Sequence, residues 1–412
     1  MGNSYVVLGD GIAGSSAAET LREEDPDGEI TVVTDEGEPL YNRILIKEFA
    51  KGKLPEAPIA IHDEEWYEER DIELRLNTHV TRVVPDEHRL YLHEGDPITY
   101  DKLLIATGGT PRQLPVPGSA ADGIHHFWTF QDARAIREAA ERADTGVVIG
   151  AGLLGIDLAA ICGAQDVRAH YLMRGNRWWR YALSEEGGEI IHRALRARNV
   201  TPVFESGASR FETEDGRVVA TIDANEQRYE SEFVGIAIGL HFNMEFLQGS
   251  DVEQDDGIVV DEYMQTSVED VYAAGDITQF YDTILGEHAQ NGSWGSAKTQ
   301  GHIAGVNMAA DEPDEAFRWV SSYSITHFDF PFLSFGHPTL GDRYIERTFD
   351  ETAWRRIAIK DNKVVGGVLI GDLAPQTTLK RLMREEVSVA GQDDQLLADD
   401  IDIERVAPAL GN

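Results

Sequence analysis

The chain has 412 residues, with 73 Asp and Glu against 36 Lys and Arg, a formal net charge of -37. An apolar fraction of 42% supports packed domains over disorder, and the length suits two or three of them. So acidic a chain is a poor partner for nucleic acid or anionic membranes, and no apolar run approaches the ~20 residues of a membrane helix.

The first residues hold no signal-peptide pattern, so a cytoplasmic location is expected. The acids are scattered through runs such as "LREEDPDGE" and "DEEWYEER" and form no single tail, and there are 8 lysines against 28 arginines. That surface is expected of a salt-adapted organism, where molar salt shortens the Debye length to ~3 Å and screens self-repulsion. The one cysteine, Cys162, excludes an internal disulfide and a structural zinc site, and no metal site is expected.

In chain order, "VVLGDGIAGSSAAE" opens with an apolar strand over residues 4–9. Gly9, Gly11 and Gly14 then form a G-x-G-x-x-G turn into a helix. The next strand, "EITVVTDE", ends in Asp35 and Glu36, at the spacing of an acid on a ribose hydroxyl. Glycines there let the backbone approach a pyrophosphate lying on the helix N-terminus. "YDKLLIATGGTPRQLPVPG" is a strand closing at Thr107 and Gly108, then a proline-rich linker. "VVIGAGLLGIDLAA" repeats the first motif with Gly150, Gly152 and Gly155. Its following strand ends at Met173, where an acid would be expected, and is succeeded by Arg174, Arg177 and Arg180. Those arginines suit a 2′-phosphate and so NADPH, with a solvated basic turn as the alternative.

"FVGIAIGLHFN" closes at Gly239 as a second linker, and "TSVEDVYAAGDITQF" ends a strand at Gly275 and Asp276. The expected class is α/β, with two Rossmann-like dinucleotide-binding domains, the second inserted in the first, and a small α+β C-terminal domain. The boundaries are 1–111 and 241–316, then 112–240, then 317–390. "WRRIAIKDNKVVGGVLIGD" reads as a hairpin turning at Asp361-Asn362, and 391–412 as a mobile acidic tail.

Taken in this order, the two glycine loops, "YDKLLIATGG", "AIGLHFN", "TSVEDVYAAGDI" and "SWGSAKTQGHIAGVNM" resemble the flavoproteins with two dinucleotide-binding domains. Among these the chain is similar to the NAD(P)H-dependent rubredoxin, ferredoxin and nitrite reductases, over about residues 4–385. The resemblance implies FAD on the first loop and NAD(P)H on the second. FAD pyrophosphate falls to Gly9, Gly11 and Gly14, the adenosine ribose to Asp35 or Glu36, and the ribityl chain to Asp276. "PLYNRILIKEF" is similar to the segment beside the flavin ring, which makes Arg43 a cofactor contact. Lys47 becomes the cation near flavin N5, with Glu48 the alternative occupant and a surface Lys47 a second one. Thr107, Gly108, Gly239 and Gly275 are implied as cofactor contacts at strand ends. Trp294, Ala297 and Gln300 are implied at the helix that faces the flavin pyrimidine, though Trp294 equally suits a core.

No thiol stands where disulfide- or peroxide-reducing relatives carry one. The expectation is therefore an FAD-dependent NAD(P)H oxidoreductase that passes electrons to a small iron–sulfur protein or rubredoxin. An oxidase or quinone reductase, and a non-enzymatic NAD(P)H-sensing flavoprotein, are the alternatives. The oligomeric state stays open, with a homodimer as the candidate.

Overall fold

The computed structural model describes residues 2–325, 327 and 330–408. The chain divides into two compact units: residues 1–42, 57–110 and 241–321 form one, and residues 43–56, 111–240 and 322–412 the other.

The first unit is built on a five-stranded parallel sheet ordered Val271–Ala273, Lys102–Ile105, Ser4–Leu8, Glu29–Val33 and Ile72–Arg75. Ser4–Leu8 and Lys102–Ile105 are near-continuous apolar runs because both of their faces are covered. Helix Ile12–Glu24 follows the first glycine turn, and Arg22 in its last turn donates to the carbonyls of Asp25 and Pro26. Helix Trp294–Ala309 packs hard against it: a Cβ on Gly301 would come within 2.0 Å of the Ala13 carbonyl oxygen. Only small residues permit that approach.

The second unit repeats the plan with the parallel order Val200–Val203, Arg168–Leu172, Thr145–Ile149, Phe233–Ile236 and Ile124–His126. Helix Glu185–Arg196 has Ser184 as its cap, acids in its first turn and Arg193 and Arg196 in its last, which suits the helix dipole. The same unit holds an antiparallel sheet, Ser322–Ile325, Phe332–Gly336, Lys363–Ile370, Trp354–Lys360 and Arg343–Thr348, followed by helix Gln376–Arg384. Its hairpin turns at Asp361 and Asn362, both with positive φ.

The fold is thus α/β, with two Rossmann-like sheets and a C-terminal sheet. Three features differ from the expected scheme. Residues 43–56 group with the second unit, because Phe49 packs edge-on against Phe130 and Lys47 pairs with Asp157. The C-terminal sheet also groups with that unit. Residues 391–408 are packed against the C-terminal sheet. Arg355, 2% exposed, donates to the carbonyls of Leu396 and Ala398 at 2.9 and 2.8 Å, and Arg343 pairs with Asp393. Leu396 is fully buried beneath them. Three arginines on neighbouring strands, Arg347 included, hold the acidic segment down. Residues 409–412 lie outside the described residues. Among the described residues no helix is long and apolar enough to cross a membrane.

Candidate functional site

Each parallel sheet ends in the same backbone cradle. Gly9 and Gly150 have φ of +108° and +119°, a region that side chains disfavour. A Cβ on either would come within 2.4 Å of the Ala106 oxygen or 1.9 Å of the Ala237 oxygen, at the end of the neighbouring strand. Gly14 and Gly155 let the helix start lie on the turn, where a Cβ would meet the oxygen of Gly9 or Gly150 at 1.9 or 2.0 Å. Gly11 and Gly152, between them, face open space with no atom within 4 Å. Neither following helix receives a side-chain cap, whereas Thr129, Ser184 and Ser293 cap three others. First-turn amides without a side-chain acceptor, beside a glycine with free space, fit a dinucleotide pyrophosphate. The residues present fit FAD on one loop and NAD(P)H on the other.

In the first unit the strand end after the glycine loop is acidic, as expected. Glu36 is half-buried and accepts from Tyr41 at 2.7 Å, while Asp35 is exposed. Thr107 is exposed and Gly108, with φ +59°, faces open space. Asp276 is half-buried, its carboxylate 3.5 Å from where a Gly292 Cβ would stand. Ala297 is buried and Trp294 half-buried at the start of their helix. Gln300 has turned inward: fully buried, its Oε1 accepts from the Gly275 amide at 2.7 Å and from Thr278 at 3.0 Å. It positions the Gly275–Asp276 turn.

In the second unit the basic turn is partly self-engaged. Met173 is fully buried. Arg177 spends its donors on Leu183 O, Asn176 Oδ1 and Arg180 O at 2.8, 3.0 and 3.1 Å. Arg174 is exposed, and Arg180 donates to Tyr181 at 2.6 Å. Trp178, fully buried, donates to the Gly152 carbonyl at 3.2 Å and so braces the glycine loop from outside. Gly239 closes its strand with φ +104°. Arg43 donates to the Trp128 carbonyl at 2.8 Å and lies 5.3 Å over its ring, so the guanidinium is already held.

Lys47 lies in a buried ionic cluster. Its Nζ is 3.7 Å from Asp157 Oδ1 and 5.5 Å over the Tyr323 ring. Asp157 accepts from Tyr323 at 3.2 Å and from His327 Nε2, whose Nδ1 accepts from Lys51 at 2.6 Å. Lys51 donates to Glu48 at 2.7 Å. Burial alone would raise the Asp157 carboxyl, but the His327 hydrogen bond and the Lys47 and Lys51 charges hold it below its ordinary value. Burial lowers His327, which is consistent with a neutral ring protonated at Nε2. Of the two register alternatives, Lys47 reaches the buried carboxylate, and Glu48 turns to Lys51 and Lys53.

The sequence reading missed Asp157, Tyr323, His327 and Lys51. The available signal was a lone acid in an otherwise apolar helix, "LLGIDLAAICGA". It also passed over Asp10, inside the first glycine motif, and Tyr67, whose hydroxyl meets it at 2.7 Å. Cys162 is fully buried on the Leu153–Ala164 helix, and burial pushes its thiol up to about 12.

Residues 3–305 match the family model described as pyridine nucleotide-disulphide oxidoreductase, and residues 325–387 match the rubredoxin NAD+ reductase C-terminal domain. The anthranilate 1,2-dioxygenase system ferredoxin–NAD(+) reductase component of Burkholderia cepacia is 30% identical over 324 residues, 77% of this chain and 79% of that protein. The NADH-rubredoxin oxidoreductase of Clostridium acetobutylicum is 27% identical over 378 residues, 91% of this chain and 93% of that one. Among solved structures, the covalent putidaredoxin reductase–putidaredoxin complex superposes with a TM-score of 0.91 at 22% identity, covering 99% of this chain and 98% of that chain.

Proposed function

The chain belongs to the pyridine nucleotide-disulphide oxidoreductase family and is an FAD-dependent NAD(P)H oxidoreductase, and from that premise we propose that its electrons leave to a rubredoxin or a small ferredoxin. The observation that carries this reading is the doubled cradle: two loops of one geometry, each in its own unit, provide for two dinucleotides. The relatives named for ferredoxin and rubredoxin, and the C-terminal domain match, support the class of acceptor. The lone thiol is buried and unreactive, so no side-chain thiol is available to carry electrons.

When bound, FAD supplies the hydride acceptor and the change from two-electron to one-electron transfer that such carriers require. The chain's own work is binding and orientation. In this proposal Gly9, Gly11 and Gly14 hold the FAD pyrophosphate, Glu36 or Asp35 the ribose, and Asp276 the ribityl chain. Gln300 sets the Gly275 turn. Gly150, Gly152 and Gly155, braced by Trp178, hold the coenzyme. Met173 offers no acceptor for a 2′-hydroxyl and Arg174 is exposed beside it, which favours NADPH.

The FAD domain is assigned residues 1–111 and 241–316, and the coenzyme domain 112–240. A cytoplasmic location, a homodimer and adaptation to high salt complete the proposal. The last is supported by the -37 charge and predicts a Tm that rises from dilute buffer to concentrated KCl.

Anaerobic stopped-flow tests the reading. NADPH should bleach the flavin rapidly, and rubredoxin or ferredoxin should restore the colour far faster than oxygen or a quinone does. Fast reoxidation by oxygen or quinone alone would replace this reading with an oxidase or a quinone reductase.

A further inference from the structure

The two cradles differ in the residue between their first two glycines. Where the second loop has Ala151, the first has Asp10, between Gly9 and Gly11. The Asp10 side chain is buried, 8% exposed, and its two oxygens lie 2.7 and 2.9 Å from the Tyr67 hydroxyl on helix Glu64–Glu68, which donates to them. The remaining groups that face it are the Leu40 backbone, which also donates, and the negative charge of Glu36 beyond the second strand. Ser15, on the following helix, hydrogen-bonds Tyr67 in turn. No cation stands among the described partners of Asp10.

Asp157, the buried carboxylate on the helix after the second glycine loop, receives one lysine, one histidine and one tyrosine. Asp10 has neutral donors and a like charge. Burial raises it to about 7, against the opposing pull of the Tyr67 and Leu40 hydrogen bonds. The pyrophosphate that the same turn is built to receive brings two more negative charges to that helix end.

We propose that FAD binds to this loop together with a proton on Asp10, so that the Asp10 carboxyl is neutral in the flavin-loaded protein and flavin retention weakens as the pH rises. The inference rests on the assignment of FAD to the first loop. An acid whose proton affinity is higher in the bound than in the free state leaves binding constant at low pH. Above the free-state value, affinity falls on the order of tenfold per pH unit. Tyr67 is a positioning residue in this scheme: its hydroxyl favours the ionised carboxylate of the empty loop and so sets the pH at which the loss begins.

The test follows flavin release from the holoprotein, diluted at constant molar salt across pH 6–9 and read by the fluorescence of free FAD. The wild-type dissociation constant should be flat below neutrality and then climb by about 10- to 100-fold by pH 9. Asp10→Asn should retain FAD with no such climb. Tyr67→Phe should keep the climb but displace its onset to higher pH, an effect that a merely structural role for Asp10 would not produce. In weakly buffered solution at pH 8.5, wild-type release should liberate close to one proton per FAD and the Asp10→Asn protein none. Equal pH slopes in wild type and Asp10→Asn, or release without a proton, would overturn the inference and leave the FAD assignment standing. A folded protein that holds no FAD at any pH would overturn both.

Discussion

Beside Gly9 and beside Gly150 the chain makes the same turn, with matching φ angles, the same close approach of helix to loop and the same open space at the middle glycine. What surrounds the turns is different. The first has an acid within it, an acidic strand end in Glu36, and a neutral tyrosine as the donor to the buried carboxyl. The second has alanine within it, a basic turn at its strand end, and a buried carboxylate, Asp157, supplied with lysine and histidine. The comparison separates two layers of a nucleotide site. Backbone shape makes a pyrophosphate pocket, and it is common to both; the placement of charge around it differs from one unit to the other.

The largest effect should come from filling the middle glycine of each loop. A Cβ at Gly11 or Gly152 meets no protein atom within 4 Å, so Gly11→Val and Gly152→Val should both fold. Gly11→Val should purify without flavin. Gly152→Val should stay yellow and lose on the order of 100-fold in reduction rate at fixed NAD(P)H. Absorbance spectra and stopped-flow traces would expose an exchange of these phenotypes, which would reverse the cofactor assignment.

Removing Asp10 or Asp157, the buried carboxylates beside the two loops, should differ nearly as much. Asp157→Asn leaves Lys47 without its buried counter-charge and should cost about 3–5 kcal/mol in urea unfolding. Asp10→Asn strands no cation and should cost far less. The signs with pH are opposite. Asp157 is held below its ordinary value, so its contribution is present above the unfolded carboxyl value and is lost as the pH falls through the folded one. Asp10 is raised to about 7, so the flavin-free fold loses stability as the pH rises from the unfolded carboxyl value, where the unfolded chain ionises first, towards that one. A similar loss of stability in both variants would mean that the cations around Asp157 are not what sustains it.

Coenzyme choice should respond on a smaller scale. Arg174→Ala should raise the KM for NADPH by about tenfold, the loss of one charge-assisted hydrogen bond, with little change for NADH. Arg177→Ala should affect both coenzymes alike, because its donors are engaged within its own turn. Equal NADPH and NADH losses in the Arg174 variant would remove it from the phosphate site.

The smallest effect belongs to Cys162. Cys162→Ala should lower stability by about 1 kcal/mol through lost packing and leave turnover unchanged. A folded, flavin-loaded variant that had lost most of its activity would contradict a thiol-free route.

Much of the fold was readable from local chemistry. Glycine spacing, the apolar strand before it and the small residues after it specify a βα turn through sterics within about ten residues, and both cradles follow. The Asp361-Asn362 hairpin and the Gln376–Arg384 helix are local in the same sense. Acid and base at the two strand ends were equally visible, since each lies at a fixed distance along the chain from its loop.

What only the tertiary structure decided are the contacts between residues remote in sequence. Lys47, Asp157 and His327 are separated by more than a hundred residues each, and no periodicity links them. Gln300 turned inward because the Gly275 amide needed an acceptor. Residues 391–408 are strongly acidic and read as loose by composition, yet Arg343, Arg347 and Arg355 converge on them from strands folded far earlier in the chain. Asp10 is the plainest case. Its position inside the glycine motif was visible in the sequence, but its burial depends on Tyr67, 57 residues further on, closing over it. A pattern along the chain records which atoms the backbone brings near a ligand. The protonation and pairing of those atoms depend on the solvent excluded and the charges assembled around them, and both arise only when distant segments pack.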